Sequence, residues 1–328
     1  MPAGAQVDII QNGQGFGSVA QRLMAGGFQV NSLRNNGLLA GDEWKVIDKA
    51  LLDAAKSRLV GVADLMSRGL TFNPGTGLGQ TLLESYSTSD MDDAEVDMDG
   101  TTRGRNDRIE FGTDKLPLPI IHKDFFIPLR LINAMRNNGI ALDTTSVENA
   151  GRSVAEVMEN ILFNGASYSF ASSNIYGYTN TPNRNTYTIT DWNSSATNGA
   201  AIVLEVLGMK AASTAAKHYG PWVLYIPTDY EAVIGDDYKA ASDKSMRQRL
   251  LEIEGISDVR VSTKLSDNNV VLAEMAANTV RMVEALPLTT VQWDDEGGMR
   301  ANFKVMSINV PQIRADQAGN SGIVHGSV

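Results

Sequence analysis

Cysteine is absent from all 328 residues. Disulfides, thiolate metal sites and a cysteine nucleophile are therefore excluded. Long apolar runs are absent too, since none approaches the roughly 20 residues that span a bilayer. The N-terminal stretch has no cationic start followed by a continuous apolar segment, so it does not read as a signal peptide. Positive charge is in short supply: 28 Lys and Arg face 38 Asp and Glu, for a formal charge of −10. That balance argues against tight, direct binding of phosphates, which relies on clustered basic side chains. Histidine is scarce, and His122, His218 and His325 are far apart in sequence. No carboxylate or hydroxyl partner is marked for any of them, so nothing nominates a hydrolytic triad.

What is present is ordinary globular chemistry. The chain is 43% hydrophobic and 20% charged, and a chain of this size buries roughly 75% of the surface it exposes when unfolded. No internal repeat is evident. Residues 1–41 are interrupted by Gly13, Gly15, Gly17, Gly26, Gly27, Gly37 and Gly41 and are otherwise rich in Gln and Asn. Such an arm cannot order itself by burying its own surface, and a neighbouring subunit is the economical support. From Asp42, Ile47, Leu51, Ala54 and Ala55 recur at helical spacing, predicting one helical stretch up to Gly69. Phe72-Asn73-Pro74-Gly75 reads as a turn.

Residues 88–113 read as an extended hairpin. Ala94, Val96 and Met98 alternate with Glu95, Asp97 and Asp99, the period of a strand. Gly100 to Asn106 would form the tip, and Arg108 to Phe111 the return strand. An acidic flank thus faces Arg103, Arg105 and Arg108, and opposite charges across a hairpin support its register. A lone hairpin is marginal in water, so this one needs a surface to lie on. Lys115 to Leu129 is apolar and extended, with Pro117, Pro119 and Pro128 confining it to edges or irregular positions. Thr145 and Glu148 then have capping-box spacing. Val147, Ala150, Val154, Val157 and Ile161 follow at steps of three and four, and Asn164-Gly165 closes a helix of about 18 residues, roughly 27 Å long. Loops and short strands are expected over 166–199. Beyond them come a helix at 200–218, a strand Trp222 to Ile226 and a helix capped by Thr228 and Glu231. A helix near 243–253 and strands near 258–263, 269–273 and 279–284 follow. The chain ends in a strand from Phe303 to Val310 and a polar tail.

Two patterns invite other chemistry. Gly13-x-Gly-x-Gly17 and Gly75-x-Gly-x-Gly79 follow no convincing strand and lack the Lys-Ser/Thr ending of a phosphate-binding loop. The acidic run Asp90, Asp92, Asp93, Glu95, Asp97, Asp99 could suit a calcium loop beginning at Glu95. Its twelfth position, however, is Asn106 rather than the bidentate Glu. Strand alternation accounts for the same residues.

The stretch from Lys115-Leu-Pro-Leu-Pro through Asp124-Phe125, Arg130 and Leu142-Asp143 to Phe163-Asn164-Gly165 resembles the encapsulins. It also resembles the tailed-phage capsid proteins that share their fold. Glu43-Trp44 with Ile47-Asp48 is similar to the family's first helix. Gly220-Pro221-Trp222-Val223-Leu224-Tyr225-Ile226 with Thr228-Asp229 is similar to the strand-to-helix entry of its apical domain. The likeness spans about residues 42–310 and rests on the ordered set of blocks. It implies an α+β, Hong Kong 97-type phage capsid fold. The expected parts are an N-terminal arm over 1–41, a peripheral domain beginning at 42–71 and an extended loop over 72–114. The peripheral domain would continue over 115–199 with a spine helix at 145–163. An apical domain over 200–285 would follow, and C-terminal strands and tail over 286–328 would return to the peripheral domain.

The arm and hairpin are both longer than encapsulins typically need, which favours a phage capsid. The resemblance therefore implies a major capsid protein that self-assembles, as hexamers and pentamers, into the icosahedral shell around the double-stranded DNA of a tailed phage. It would not be an enzyme. The alternative is an encapsulin shell enclosing a cargo enzyme, and a remote one is a metal-dependent enzyme using the acidic cluster 90–99. No catalytic residue, cofactor or metal is expected. Expected partners are other copies, a portal, and possibly a separate scaffolding or cementing protein. Packaged DNA would be touched only weakly, and no membrane is involved. The location would be the virion capsid, assembled in the cytoplasm of a bacterial host. The inter-subunit contact candidates are Asp97, Asp99, Arg103, Arg105 and Arg108, whose plainer role is to pair within their own hairpin. Some capsids of this fold cross-link an extended-loop lysine to an asparagine of another subunit. Residues 72–114 contain no lysine, so no such covalent mesh is expected.

Overall fold

The computed structural model describes residues 41–75, 77–88, 96–99, 108, 111–137, 144–194, 197–239, 244–294, 299–316 and 319–328. Residues 1–40 of the arm lie outside these residues, as does the whole of the predicted hairpin tip from Gly100 to Asn106. Contacts group the chain into two compact units.

The first unit holds the described residues up to Thr81, with Leu118–Leu162 and Met282–Pro311. Helices α1 (Gly41–Lys56) and α2 (Gly61–Ser67) replace the single helical stretch expected up to Gly69. The break has a long-range cause: the buried carboxylate of Glu159 accepts the backbone N–H groups of Gly61 at 2.7 Å and Val62 at 3.2 Å. The first N–H groups of any helix lack partners within it, so this acceptor favours a new helix start there. After the strand β1 (Thr71–Phe72), the turn at Asn73 forms as expected. Its side chain accepts Gly75 N–H at 2.7 Å, and Gly75 takes φ +74°.

Strand β4 (Ile121–Pro128), helix α3 (Leu129–Asn137) and helix α4 (Thr145–Asn164) follow. At 20 residues α4 extends roughly 30 Å. It begins at Thr145, and the Thr144 hydroxyl just before it donates to Glu148 Oε1 at 2.6 Å. Val147, Ala150, Val154 and Ile161 are buried, but Val157 is 44% exposed. Met158 takes the next inward position, because a straight helix at 3.6 residues per turn drifts away from alternating steps of three and four. Gly151 allows α1 to approach α4: a Cβ there would lie 2.5 Å from Leu51 Cδ1. The sheet of this unit has the order β1-β11-β12-β4, where β11 is Val280–Asp294 and β12 is Arg300–Ile313. Phe303 stacks on Phe125 across the β12–β4 register at 5.1 Å and meets Trp44 of α1 edge-on at 6.1 Å.

The second unit comprises Leu82–Pro117, Phe163–Arg281 and Gln312–Val328. It contains the hairpin β2 (Leu82–Thr88) and β3 (Phe111–Pro117), and the small pair β5 (Ala166–Phe170) and β6 (Ser173–Ile175). Its five-stranded sheet runs β7-β13-β10-β8-β9. Here β7 is Asn185–Thr188, β8 Trp222–Pro227, β9 Ile256–Ser262, β10 Asn269–Glu274 and β13 Ile323–Ser327. Helices α5 (Gly199–Ala215), α6 (Glu231–Gly235) and α7 (Met246–Leu251) accompany it.

Two expectations fail in this unit. The polar tail is no tail: β13 sits inside the sheet, parallel to β7 and antiparallel to β10, and Ile323 and Val324 are fully buried. Thr228 does not cap a helix either. It opens a 3-10 turn over Thr228–Tyr230 that runs into α6 with no side-chain cap. The capping box lies instead at Ser245 and Gln248, at the start of α7.

The Phe163-Asn164-Gly165 signature now has a physical account. Phe163 is fully buried edge-on against Tyr178 at 5.5 Å and Tyr225 at 5.2 Å. The carbonyls at the end of α4 take bonds from Thr179 N–H, 2.9 Å to Phe163 O, and Asn180 Nδ2, 2.8 Å to Asn164 O. Gly165 turns the chain with φ +71° in a place where a Cβ would lie 2.6 Å from Ile175 O.

Candidate functional site

The hairpin singled out in the sequence has its paired stem at β2 and β3, antiparallel from Leu82↔Pro117 to Thr88↔Phe111. That lies outside the alternation at Ala94 to Asp99. Among the described residues Val96 to Asp99 form no strand, and all four are exposed. The alternation at 96–99 therefore does not mark a strand half-buried on one face. Asp97 Oδ1 accepts Asp99 N–H at 3.4 Å, a local turn of the kind Asp side chains support. Arg108 is exposed, while Arg103 and Arg105 lie outside the described residues.

The opposite charges that support the register occur lower in the stem. Glu84 and Lys115 are directly paired in the ladder, 3.4 Å apart. Both are half-exposed, so their pairing contributes about 0.2–1 kcal/mol. At the root, Arg281 Nε donates to Gln312 Oε1 at 2.6 Å, and Gln312 Nε2 donates to Ser85 Oγ at 2.9 Å. Burial and the neighbouring Arg314 lower the pKa of Arg281. The stem is thus fastened at its base and carries two large exposed side chains farther out, Tyr86 at 64% and Phe111 at 69%.

Histidine partners that sequence spacing did not mark are present in the second unit. His218 Nδ1 and the Thr279 hydroxyl both meet Glu274 Oε2, each at 2.5 Å, and Thr279 Oγ1 lies 3.3 Å from the same His218 nitrogen. A hydrolytic triad needs the imidazole between acid and hydroxyl, one ring nitrogen to each; here hydroxyl and acid converge on one nitrogen. Glu274 also accepts Gly220 N–H at 2.9 Å and Tyr219 N–H at 3.2 Å. The cluster is a clamp that holds the loop before β8 on β10.

His325, on β13, lies between Arg184 Nε, 3.4 Å from Nδ1, and Asn269 Oδ1, 2.8 Å from Nε2. Burial, with Arg184 beside it, lowers its pKa. Its neutral form, with Nε2–H donating to Asn269, suits both contacts. His122 sits at the surface 3.5 Å from Asp124.

A buried acid, a partly buried one and a phenol complete the ionisable framework. Desolvation raises the Glu159 pKa, against the lowering effect of its bonds to Gly61, Val62 and Val60. Glu205 accepts Thr190 N–H at 3.0 Å and Trp192 Nε1–H at 2.7 Å. Burial pushes Tyr230 up to about 12, and its hydroxyl donates to Asn268 Oδ1 at 2.7 Å. Among the described residues no three His, Asp or Glu side chains converge on a possible metal position. In each case the chemistry is attachment of one segment of chain to another.

Two units, a long helix ending in Phe163-Asn164-Gly165 and a two-stranded hairpin define the class: the chain has the α+β, Hong Kong 97-type fold. Solved structures share it. The virus-like particle from Pyrococcus furiosus matches 86% of this chain and 98% of its own, with TM-score 0.61 and 16% identity. The capsid of Myoviridae phage XM1 matches 82% and 92%, with TM-score 0.61 and 11% identity. The capsid of a native GTA particle matches 82% and 91%, with TM-score 0.59 and 11% identity. Within the sequence itself, a family model described as "Family of unknown function (DUF6260)" matches residues 31–326, and the chain belongs to that family. No curated protein sequence matches it.

Proposed function

We propose that this chain is the major capsid protein of a tailed double-stranded DNA phage, assembling in many copies into an icosahedral shell and carrying out no enzymatic reaction. The observation that carries this is the match of fold over nearly the whole of the XM1 capsid subunit. The unit containing α4 corresponds to the peripheral domain, with α4 as its spine. The five-stranded unit corresponds to the apical domain. The β2–β3 stem is the base of the extended loop, which lies on a neighbouring copy, and the arm before Asp42 is a second strap. Asp97, Asp99, Arg103, Arg105 and Arg108 meet that neighbour. Each contact is modest, and their number makes the closed shell stable. Portal, scaffolding and cementing proteins are further partners, with DNA touched weakly. The shell belongs to the virion and forms in the bacterial cytoplasm.

The match to the Pyrococcus furiosus particle over 98% of that chain supports a second reading, an encapsulin shell around a protein cargo. Negative-stain electron microscopy of the purified native assembly tests the container reading. Closed angular shells tens of nanometres across are expected, and small discrete particles at every salt and protein concentration overturn it. Nucleic acid or tails in the shells separate phage from encapsulin, which would enclose protein. Since residues 72–114 lack lysine, a denaturing gel of the shells should show monomer. A ladder of covalent multimers would contradict that.

A further inference from the structure

Helix α5 is apolar on more than the face it buries. Ile202, Val203, Val206 and Met209 point into the core beneath the five-stranded sheet. On the opposite side Ala200, Leu204, Leu207, Ala211, Thr214 and Ala215 are all exposed. They recur at steps of four, three, four and then three or four, so they form one continuous stripe. Leu204 is 67% exposed and Leu207 40%.

The only two charged side chains of the helix, Glu205 and Lys210, are engaged within their own unit. Glu205 holds Thr190 and Trp192, and Lys210 Nζ donates to Glu254 O at 2.6 Å and lies 5.4 Å from the Trp222 ring centroid. The Thr214 hydroxyl turns back to Lys210 O at 3.0 Å. A helix that is hydrophobic all round belongs in an interior, yet in the single chain one side of this one faces water.

We infer that the outward stripe of α5 is an inter-subunit surface covered by a second copy of this chain, separate from the hairpin and the arm. This rests on the shell reading above. Two leucines flanked by small residues come far short of the roughly 800 Å² per partner that a stable pair needs. A stripe this small holds only where several contacts close together, as they do between identical subunits of a shell. Its alanines let another element approach closely, at the 8–10 Å axial spacing of packed helices or less. Its lack of charge makes it a poor surface for nucleic acid, which needs basic side chains.

The absence of cysteine gives a direct test. In Leu204→Cys the introduced thiol is the only one in the chain, and its reaction with a soluble maleimide can be followed in shells and in dissociated subunits. Labelling at least tenfold slower in intact shells is expected. Equal rates in the two states would overturn the α5 interface while leaving the shell reading intact. Failure of the unmodified chain to form shells would overturn the shell reading, and this inference with it. Leu204→Glu with Leu207→Glu provides a second measurement. Folded subunits with a far-ultraviolet spectrum like that of the unmodified chain should form at least tenfold fewer shells, whereas Ser266→Glu on an exposed loop should assemble normally. Undiminished shell yield from the double variant would also overturn the α5 interface.

Discussion

Strands β8 and β2 are of nearly equal length, six and seven residues, and their surroundings could hardly differ more. Every residue of β8 is buried. It lies between β10 and β9, with Trp222, Leu224 and Ile226 in the core of its own unit and Tyr225 against Phe163 and Tyr178. Strand β2 pairs only with β3 among the described residues and carries the exposed Tyr86. The first strand is finished within one chain. The second is a two-stranded ribbon of a kind that is marginal alone, and under the proposed shell reading its exposed aromatic side chains are the ones a neighbouring copy would cover. On the proposed shell reading, the comparison separates residues that would fold the subunit from residues that would join subunits, because burial inside one chain serves the first purpose and exposure in one chain permits the second.

The largest effect on the subunit should come from β8. Leu224→Ala removes a fully buried side chain from the core of the second unit and should cost about 2–5 kcal/mol, read by chemical denaturation of dissociated subunits. A change under 1 kcal/mol would mean that this sheet is not the stable part of the chain. Glu159→Ala comes next. It strands two buried N–H groups at the start of α2 but also removes a carboxyl that burial disfavours, so the cost should be about 1–3 kcal/mol in all, whereas Glu159→Gln keeps one acceptor and should lose less. Because the folded pKa of Glu159 is raised from 4.5, the stability linked to its protonation is complete below that value and is lost as pH rises through the folded pKa. The unmodified chain should therefore lose stability relative to Glu159→Gln as pH rises through that window.

His325 has the opposite sign. Its folded pKa lies below 6.5, so its contribution is present above pH 6.5 and is lost as pH falls through the folded value. In paired denaturation series the stability advantage over His325→Gln should shrink from pH 7.5 to pH 5; an unchanged advantage would deny the burial of the ring. The smallest effect on the subunit, and the one that sharpens the comparison most, belongs to the hairpin. Tyr86→Ser with Phe111→Ser should change subunit stability by about 0.5 kcal/mol or less while sharply lowering the shell yield seen by electron microscopy. Normal assembly of that pair would remove the stem from the contact surface.

Much of the fold is legible in the sequence where the cause is local. Val147, Ala150, Val154 and Ile161 place α4 within a residue or two, and Gly165 ends it as glycine does where φ is positive. Asn73-Pro74-Gly75 places a turn for the same reason. The resemblance blocks at Trp44, Phe163 and Trp222 fall on side chains that are buried in the structure, which is why such short matches carry information over a long chain. The hairpin is legible as an element but not in its register. Alternation at Val96 to Asp99 imitates a strand, while the ladder lies lower, where the Glu84–Lys115 pair and the Gln312–Ser85 bond hold it.

By itself, the sequence determined that α4 and α5 are helices, that missing cysteine rules out disulfides and thiolate chemistry, and that 72–114 carries no lysine. Those properties depend on composition or on periods of a few residues, and both are written along the chain. Only the tertiary structure decided that the last strand enters the middle of a sheet, that Glu159 splits the first helix in two, and that His218 and His325 have partners. Each of these depends on groups brought together from distant parts of the chain, where burial removes water as an alternative partner. An unpaired polar group becomes costly there, so the partner is chosen by the fold rather than by spacing.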